Sequence, residues 1–568
     1  MKPNILFFLG IAALSACARS DNTSTPVPPP SSASAHELTQ DAAVLPAPKP
    51  QRAERAAMAQ AQAMPEARFA DQAVSMGKMV GLAVPPMPAA NAAGEGYAPL
   101  AENRFQQVAL SPLSTFGLDV DTASYSNVRR FLSQGQLPPV DAVRIEELIN
   151  YFDYPLSATA SEHPLSISTE SAVAPWNPAH RLVMVGVKAR DLNAAERPPN
   201  RLVFLLDTSG SMSNANKLPL LKRSFQILIE QLRAQDSVAI VTYAGSAGLV
   251  LPPTSGAHKE AIYAALNRLS AGGSTAGAQG LELAYEVAAK QFVEAANNRV
   301  ILATDGDFNV GQRSEGDLIR LIESRRDQGV FLSVLGFGSG NYQEAKMQQL
   351  SSHGNGTHHY IDSDREADRV FRDKLQGTLY TVAKDAKIQL EWNPQQVAEY
   401  RLIGYENRLL NAEDFVDDRK DAGDVGAGHS ITVLYEVVPA SGANATAAPL
   451  RYQEQRPRPA HATELGLIKL RYKPAKAERS VEMTQVIAST ARAGDNLAWA
   501  AAVAELGMLL RGSEHRAQAN YDDLLRRVEA QAGDDALRRE FVGLVRQAKV
   551  ASQSQLGLNQ PGQFSPGQ

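Results

Sequence analysis

Between residues 200 and 380, short apolar runs alternate with amphipathic stretches of helical period, and this alternation leaves few folds open. Residues 201–206, 238–243, 300–303 and 330–336 read as strands. Residues 217–232, 278–292, 317–328 and 342–350 read as helices. Strands separated by helices argue for a doubly wound α/β unit, with a mostly parallel sheet covered on both faces. In open sheets of this kind, ligands sit beyond the carboxyl ends of the strands. The loops that follow those strands are therefore where chemistry is expected.

The strand at 201–206 runs directly into Asp207-Thr208-Ser209-Gly210-Ser211. A carboxylate and two hydroxyls at alternate positions of a tight loop can all turn inward, with Gly210 easing the backbone path. Such a pattern is common by chance, so its context decides its weight. A Gly-Gly-Ser-Thr loop occupies 272–275, and another apolar strand ends in Thr304-Asp305-Gly306. A doubly wound sheet would gather all three loops at one edge. Hard oxygen donors of this kind suit Mg²⁺, with Mn²⁺ or Ca²⁺ able to substitute. A phosphate loop is disfavoured, because no Gly-x-x-x-x-Gly-Lys follows a strand. A serine-hydrolase elbow is disfavoured too, because Gly210-Ser211 lacks the Gly-x-Ser-x-Gly frame and no His is paired with it.

Asp207-x-Ser209-x-Ser211, Thr275 and Asp305 together resemble the metal-ion-dependent adhesion site of von Willebrand factor A domains. The resemblance implies that Ser209 and Ser211 bind the ion directly. It implies that Asp207 and Thr275 bind directly or through water, and Asp305 mostly through water. One coordination position is left for an Asp or Glu carboxylate of a protein partner. The likeness extends outward to Ser114-Thr115-Phe116, Asp119-Val120-Asp121, 143–147 and Asn150-Tyr151-Phe152. Beyond the A domain it takes in 404–408, 421–423, 426–429 and 508–511. Over about 105–550 the chain resembles bacterial A-domain lipoproteins, with their associated N-terminal von Willebrand region and C-terminal region.

The N-terminus points the same way. After Lys2, residues 5–14 form an apolar run too short to span a bilayer, for which ~20 residues are needed. It fits the h-region of a secretory signal. Leu14-Ser15-Ala16-Cys17 resembles a lipobox, in which Cys17 carries the lipid. Cys17 is the single cysteine, so no intramolecular disulfide can form. Ala18, rather than Asp, follows it, which by that resemblance favours the outer over the inner membrane of a bacterial envelope. Residues 18–100 are rich in Pro, Ala and Ser and poor in large apolar groups, as expected of a tether. The net charge of −5 gives no basic field for nucleic acid.

The expected organisation is a signal peptide at 1–16, a disordered tether at 17–100 and an N-terminal von Willebrand-associated region at 101–198. The A domain follows at 199–383, then a β-rich region at 384–478, a helical region at 479–552 and a disordered tail at 553–568. Order is expected to begin near Phe105. β-like sequence on both flanks of the A domain suggests that 163–190 and 386–473 form a β-sandwich into which the A domain is inserted. Asp121 and Thr122 are expected to cap the helix after them, as is Asp495 in its turn. Gly512 is expected to end the Asp495 helix. Trp176 is expected to be a buried anchor.

Two other clusters attract attention and are read conservatively. His358 and His359 are adjacent in a strand, so they point to opposite faces and cannot easily share a zinc ion with His353. Asp417, Asp418, Asp421 and Asp424 do not fit a twelve-residue calcium loop and read as a solvated turn. The functional expectation is a lipid-anchored, non-enzymatic envelope protein that binds a protein partner through a divalent ion. A metal-assisted hydrolase, or an envelope protein whose metal only stiffens a loop, are the alternatives.

Overall fold

Strand Asn200–Asp207 sets Leu202, Phe204 and Leu206 on one face and Val203 and Leu205 on the other, and all five are buried. Successive strand side chains alternate between faces, so a strand apolar throughout has to be covered on both sides. In the computed structural model this strand lies inside a six-stranded sheet. Ser237–Tyr243 and Asn297–Thr304 flank it in parallel, and Val330–Phe337 and His358–Ile361 extend the sheet in parallel beyond the latter. Ala247–Ser255 closes the other edge antiparallel. Helices Leu218–Glu230 and Lys259–Asn267 pack on the Phe204 face. Gly277–Lys290, Glu315–Asp327 and Glu344–His353 pack on the Val203 face. The described residues are 94–558, except 119–120, 157–161, 307, 309–313, 421, 443–460 and 491–493.

The doubly wound α/β expectation holds. The edge strand Ala247–Ser255 was not expected from sequence: it is half exposed and contains Pro252 and Pro253, which an edge tolerates because its outward amides need no partner.

Two antiparallel five-stranded sheets flank this unit. One runs Gln106–Gln107, Val397–Ile403, Ser430–Pro439, Asn177–Ala189, Leu165–Ala174. In the other, Gly423–Gly426, Thr381–Trp392, Glu464–Pro474 and Val481–Ala488 follow in order, with Leu113–Gly117 also paired to Thr381–Trp392. Val183, Val185, Val187, Ile431 and Val433 of the first share a core with Ile388, Leu390, Ile468 and Leu470 of the second. The α/β unit is inserted between Asn177–Ala189 and Thr381–Trp392. The sandwich is as expected, although 386–473 divides between both of its sheets.

A third core joins sequence-distant ends. Tyr125, Leu148 and Trp176 pack with Trp499, Val503, Phe541 and Val545 from the C-terminal helices. Trp176 is buried there as an anchor. Helix Asp495–Arg511 ends at Gly512, whose φ of 65° is left-handed. Its start differs from expectation. The N-cap is Gly494, and the Glu170 carboxylate accepts from the backbone N–H of Gly494 and Leu497, so a strand residue does the work expected of Asp495. Thr122 is the N-cap of Ala123–Ser133 but makes no side-chain capping bond. Asp121 instead accepts from the His358 amide at 2.8 Å, because strand His358–Ile361 lies beside it. Asp119 lies outside the described residues.

Order begins before Phe105: the Gly96 amide donates to the Tyr342 carbonyl, and the Tyr97 and Tyr342 rings lie 6.4 Å apart. The last helix, Ala536–Leu558, continues past Ser552. No helix among the described residues is long and apolar enough to cross a membrane. Cys17 and the apolar run before it lie outside the described residues, as does most of the expected tether.

Candidate functional site

Three turns meet at the carboxyl edge of the parallel sheet. Asp207 is the last residue of its strand, and parallel pairing with Tyr243 brings the next turn alongside. Strand Asn297–Thr304 delivers Asp305 on the other side. The loop before helix Gly277–Lys290 is stitched to the first turn by backbone: the Gly272 amide donates to the Thr208 carbonyl at 2.8 Å, and the Gly210 amide to the Gly273 carbonyl at 3.0 Å. The left-handed backbone falls at Gly273, with φ of 85°, and not at Gly210. A side chain at 273 would be strained there.

Asp207 is fully buried. Its Oδ1 accepts from the Ser209 amide at 2.9 Å, and its Oδ2 from the hydroxyls of Tyr243 at 3.2 Å and Thr304 at 3.1 Å. Burial pushes its carboxyl up to about 6, against hydrogen bonds from Ser209 and Thr304 and with help from the nearby Asp305 charge. The Ser209 and Ser211 hydroxyl oxygens are 3.0 Å apart. Asp305, also fully buried, is held below the ordinary carboxylate range. Burial opposes its charge, but hydrogen bonds from Asn341, Lys217 and Ser211 outweigh that. Thus Asp207, Ser209, Ser211 and Asp305 form one connected set of oxygens, and Thr275 stands half-buried in the loop stitched to it. Ser211 and Gly210 are exposed, whereas both carboxylates are buried, so the cluster opens to solvent on the Ser211 side. Its donors are all hard oxygens, the chemistry that small divalent cations take.

Four further residues shape the site: Tyr243 and Thr304 orient Asp207, while Lys217 and Asn341 hold Asp305. Asn341 follows the strand Val330–Phe337, so the carboxyl-end rule pointed to its loop. Lys217 carried no such signal, since it opens an amphipathic helix like any solvated lysine.

Among the described residues the other candidates do not converge, and Asp421 lies outside them. His353 pairs with Glu323 at 2.8 Å, His358 with the Tyr342 hydroxyl at 3.2 Å and His359 with the Thr122 hydroxyl at 3.5 Å. Asp417 pairs with Arg419, and Asp418 with Arg471 and Ser480. Among the described residues no three His, Cys, Asp or Glu side chains are placed to share a metal ion.

Three family models match in sequence: "von Willebrand factor" over 91–184, "von Willebrand factor type A domain" over 202–374, and "Uncharacterized protein YfbK, C-terminal" over 377–551. Uncharacterized protein YfbK of Escherichia coli (strain K12) is 43% identical over 468 residues, which cover 80% of this chain and 81% of that one. The chain belongs to the YfbK family. A more distant relative, Uncharacterized protein sll0103 of a Synechocystis strain, is 28% identical over 41% of this chain and 53% of its own length. Among solved structures, a von Willebrand factor type A protein from Catenulispora acidiphila aligns with 70% of this chain and 98% of its own, at 17% identity and a TM-score of 0.38. The ArnB paralog VWA2 from Sulfolobus acidocaldarius aligns with 69% of this chain and 98% of its own, at 15% identity and a TM-score of 0.33. The von Willebrand A domain at the centre of this YfbK-family chain supports a protein-interaction or adhesion role.

Proposed function

We propose that this chain is a lipid-anchored envelope protein that captures a protein partner through a divalent cation, foremost Mg²⁺, held by Asp207, Ser209, Ser211, Thr275 and Asp305. The observation that carries the reading is the pair of Ser209 and Ser211 hydroxyls, 3.0 Å apart beside two buried carboxylates. Oxygens bound at 2.0–2.1 Å in neighbouring positions of an octahedron are separated by about 2.9 Å. The hydroxyl pair is therefore spaced as adjacent ligands of such an ion. The exposed Ser211 side leaves room for a carboxylate from outside. An ion held largely by neutral hydroxyls stays under-neutralised, so an incoming Asp or Glu side chain gains strongly.

Among the described residues the hydrolase alternative has no positioned base. Asp207 and Asp305 are engaged by Tyr243, Thr304, Lys217 and Asn341, and the described histidines lie elsewhere. A purely stabilising metal is also disfavoured, because the Asp207 carboxylate is hydrogen-bonded on both oxygens by the protein itself.

The anchor rests on Cys17, and its acyl chains would contribute ~0.8 kcal/mol per buried methylene. Two experiments test the whole reading. Calorimetric titration with MgCl₂ should show one site in the wild type and none in Ser211→Ala, and heat-silent wild type would remove the metal. Metabolic labelling with palmitate should mark the wild type but not Cys17→Ser.

A further inference from the structure

Lys217 sits at the N-cap of helix Leu218–Glu230 and is buried. A cation is electrostatically misplaced at a helix N-terminus, where the dipole already favours negative charge. Its Nζ is 2.9 Å from Asp305 Oδ2 and 2.9 Å from Asn341 Oδ1. The stem crosses Gly338, where a Cβ would come within 2.4 Å of both Cγ and Cε of Lys217. Gly338 also has a left-handed φ of 75°, so a side chain there is excluded twice over. A cleared path, a second acceptor and a partner carboxylate together make a built seat for one ammonium. A local rule broken and then compensated is characteristic of a functional position.

We propose that Lys217 is the resident counter-ion of the metal site and sets how the site binds, resting on the metal reading above. Among the described residues of the site, two carboxylates and one ammonium leave a single net negative charge. A dication seated there keeps about one positive charge unbalanced. Free Mg²⁺ is therefore held weakly, and most of the remaining attraction is realised only when a partner carboxylate joins. Because linkage is reciprocal, whatever the ion adds to partner affinity the partner adds to ion affinity. Lys217 thus makes the site a detector of ion and acidic partner together, and keeps Asp207 and Asp305 from repelling each other when no ion is present.

The test compares wild type, Lys217→Met and Asn341→Asp by calorimetric titration with MgCl₂ and by thermal melting with and without it. Lys217→Met keeps the stem over Gly338 and removes only the charge. Asn341→Asp leaves the lysine in place but gives it a second carboxylate, which releases Asp305. Both variants should bind Mg²⁺ at least about tenfold more tightly than wild type, as a unit charge a few ångströms from a dication requires. The ion-free melting temperature of Lys217→Met should fall and be restored by Mg²⁺. If wild type binds Mg²⁺ and the folded variants bind it equally or more weakly, Lys217 only positions Asp305 and the proposal is overturned. If Lys217→Met does not fold, Asn341→Asp alone decides by the same criterion. Absence of binding in all three overturns the metal reading itself.

Discussion

The Tyr243 hydroxyl donates to Asp207 Oδ2 across 3.2 Å, deep beneath the loop that carries Ser209 and Ser211. Thr304 donates to the same oxygen and the Ser209 amide to the other, so Asp207 is structural as well as a candidate ligand. Replacing it by Ala would strand three buried donors, each at about 1–3 kcal/mol. Asp207→Ala is therefore expected to lose at least about 3 kcal/mol in urea denaturation. The clean probes are Asp207→Asn, which keeps an acceptor, and Ser211→Ala, which is exposed. Both should melt near wild type while losing the Mg²⁺ heat signal. A normal signal from Ser211→Ala would count against the hydroxyl pair as ligands.

Arg144 fastens the N-terminal region to the A domain. Its Nε donates to Glu344 Oε1 at 2.8 Å and lies 3.6 Å from Glu147, with all three residues buried. Removing one partner of a buried ion pair leaves the other charge uncompensated, at about 3–5 kcal/mol. Arg144→Met should thus lower the unfolding free energy from urea denaturation by that amount. The double variant Arg144→Met with Glu344→Gln should recover part of it. No recovery in the double variant would mean that the loss comes from packing rather than charge.

The order of the central unit was legible because apolar runs and helical period are local properties. Each of the four strands read from 201–206, 238–243, 300–303 and 330–336 lies within the observed element. Asp207, Ser209, Ser211 and Asp305 were legible because chain order fixes where parallel strands end. The rest depended on partners far apart in sequence. Glu170 caps a helix more than 300 residues later, and Asp121 serves a strand amide rather than its own helix. Lys217 lies next to Asp305 only because two elements cross. No periodicity encodes any of these meetings.

Glu146 supplies a pH signature. Burial, reinforced by the Glu406 charge, raises its carboxyl from the ordinary 4.5 to about 7. A carboxyl raised in the folded state contributes stability that is complete below the unfolded value. That contribution is lost as pH rises through the folded value. The window is therefore pH 4.5 to 7, and the loss is roughly 3 kcal/mol at 1.36 kcal/mol per unit. Glu146→Gln mimics the protonated form. It should match wild type below pH 4.5 and exceed its stability above pH 7. Parallel curves across the whole range would show that Glu146 is not the group responsible. His358 and His359 slope the opposite way in acid: burial lowers them to about 3 and 4, so their contribution is complete above pH 6.5 and lost below it.

Trp499 tests whether the two ends of the chain fold as one. Its ring is fully buried from helix Asp495–Arg511 and lies 5.5 Å from Phe152 and 5.4 Å from Phe541, edge-on to both. Arg538 stands over its face at 4.7 Å. Phe152 belongs to the N-terminal region and Phe541 to the last helix, so one side chain bridges nearly 400 residues of sequence. The indole Nε1 has no hydrogen-bond partner among the described residues, so what the residue contributes is volume and ring contact, not a polar bond. Trp499→Ala should therefore cost about 3–5 kcal/mol, as large-to-small changes in packed cores do. Trp499→Phe, which keeps an aromatic ring and sacrifices no polar bond, should cost well under half of that. Chemical denaturation followed by the two remaining tryptophans, Trp176 in this core and Trp392 in the sandwich, reads the coupling directly. Coincident transitions shifted together by Trp499→Ala would establish one cooperative unit. A shift in Trp176 that left Trp392 unmoved would show instead that the terminal helices unfold on their own, ahead of the sandwich and the domain inserted in it.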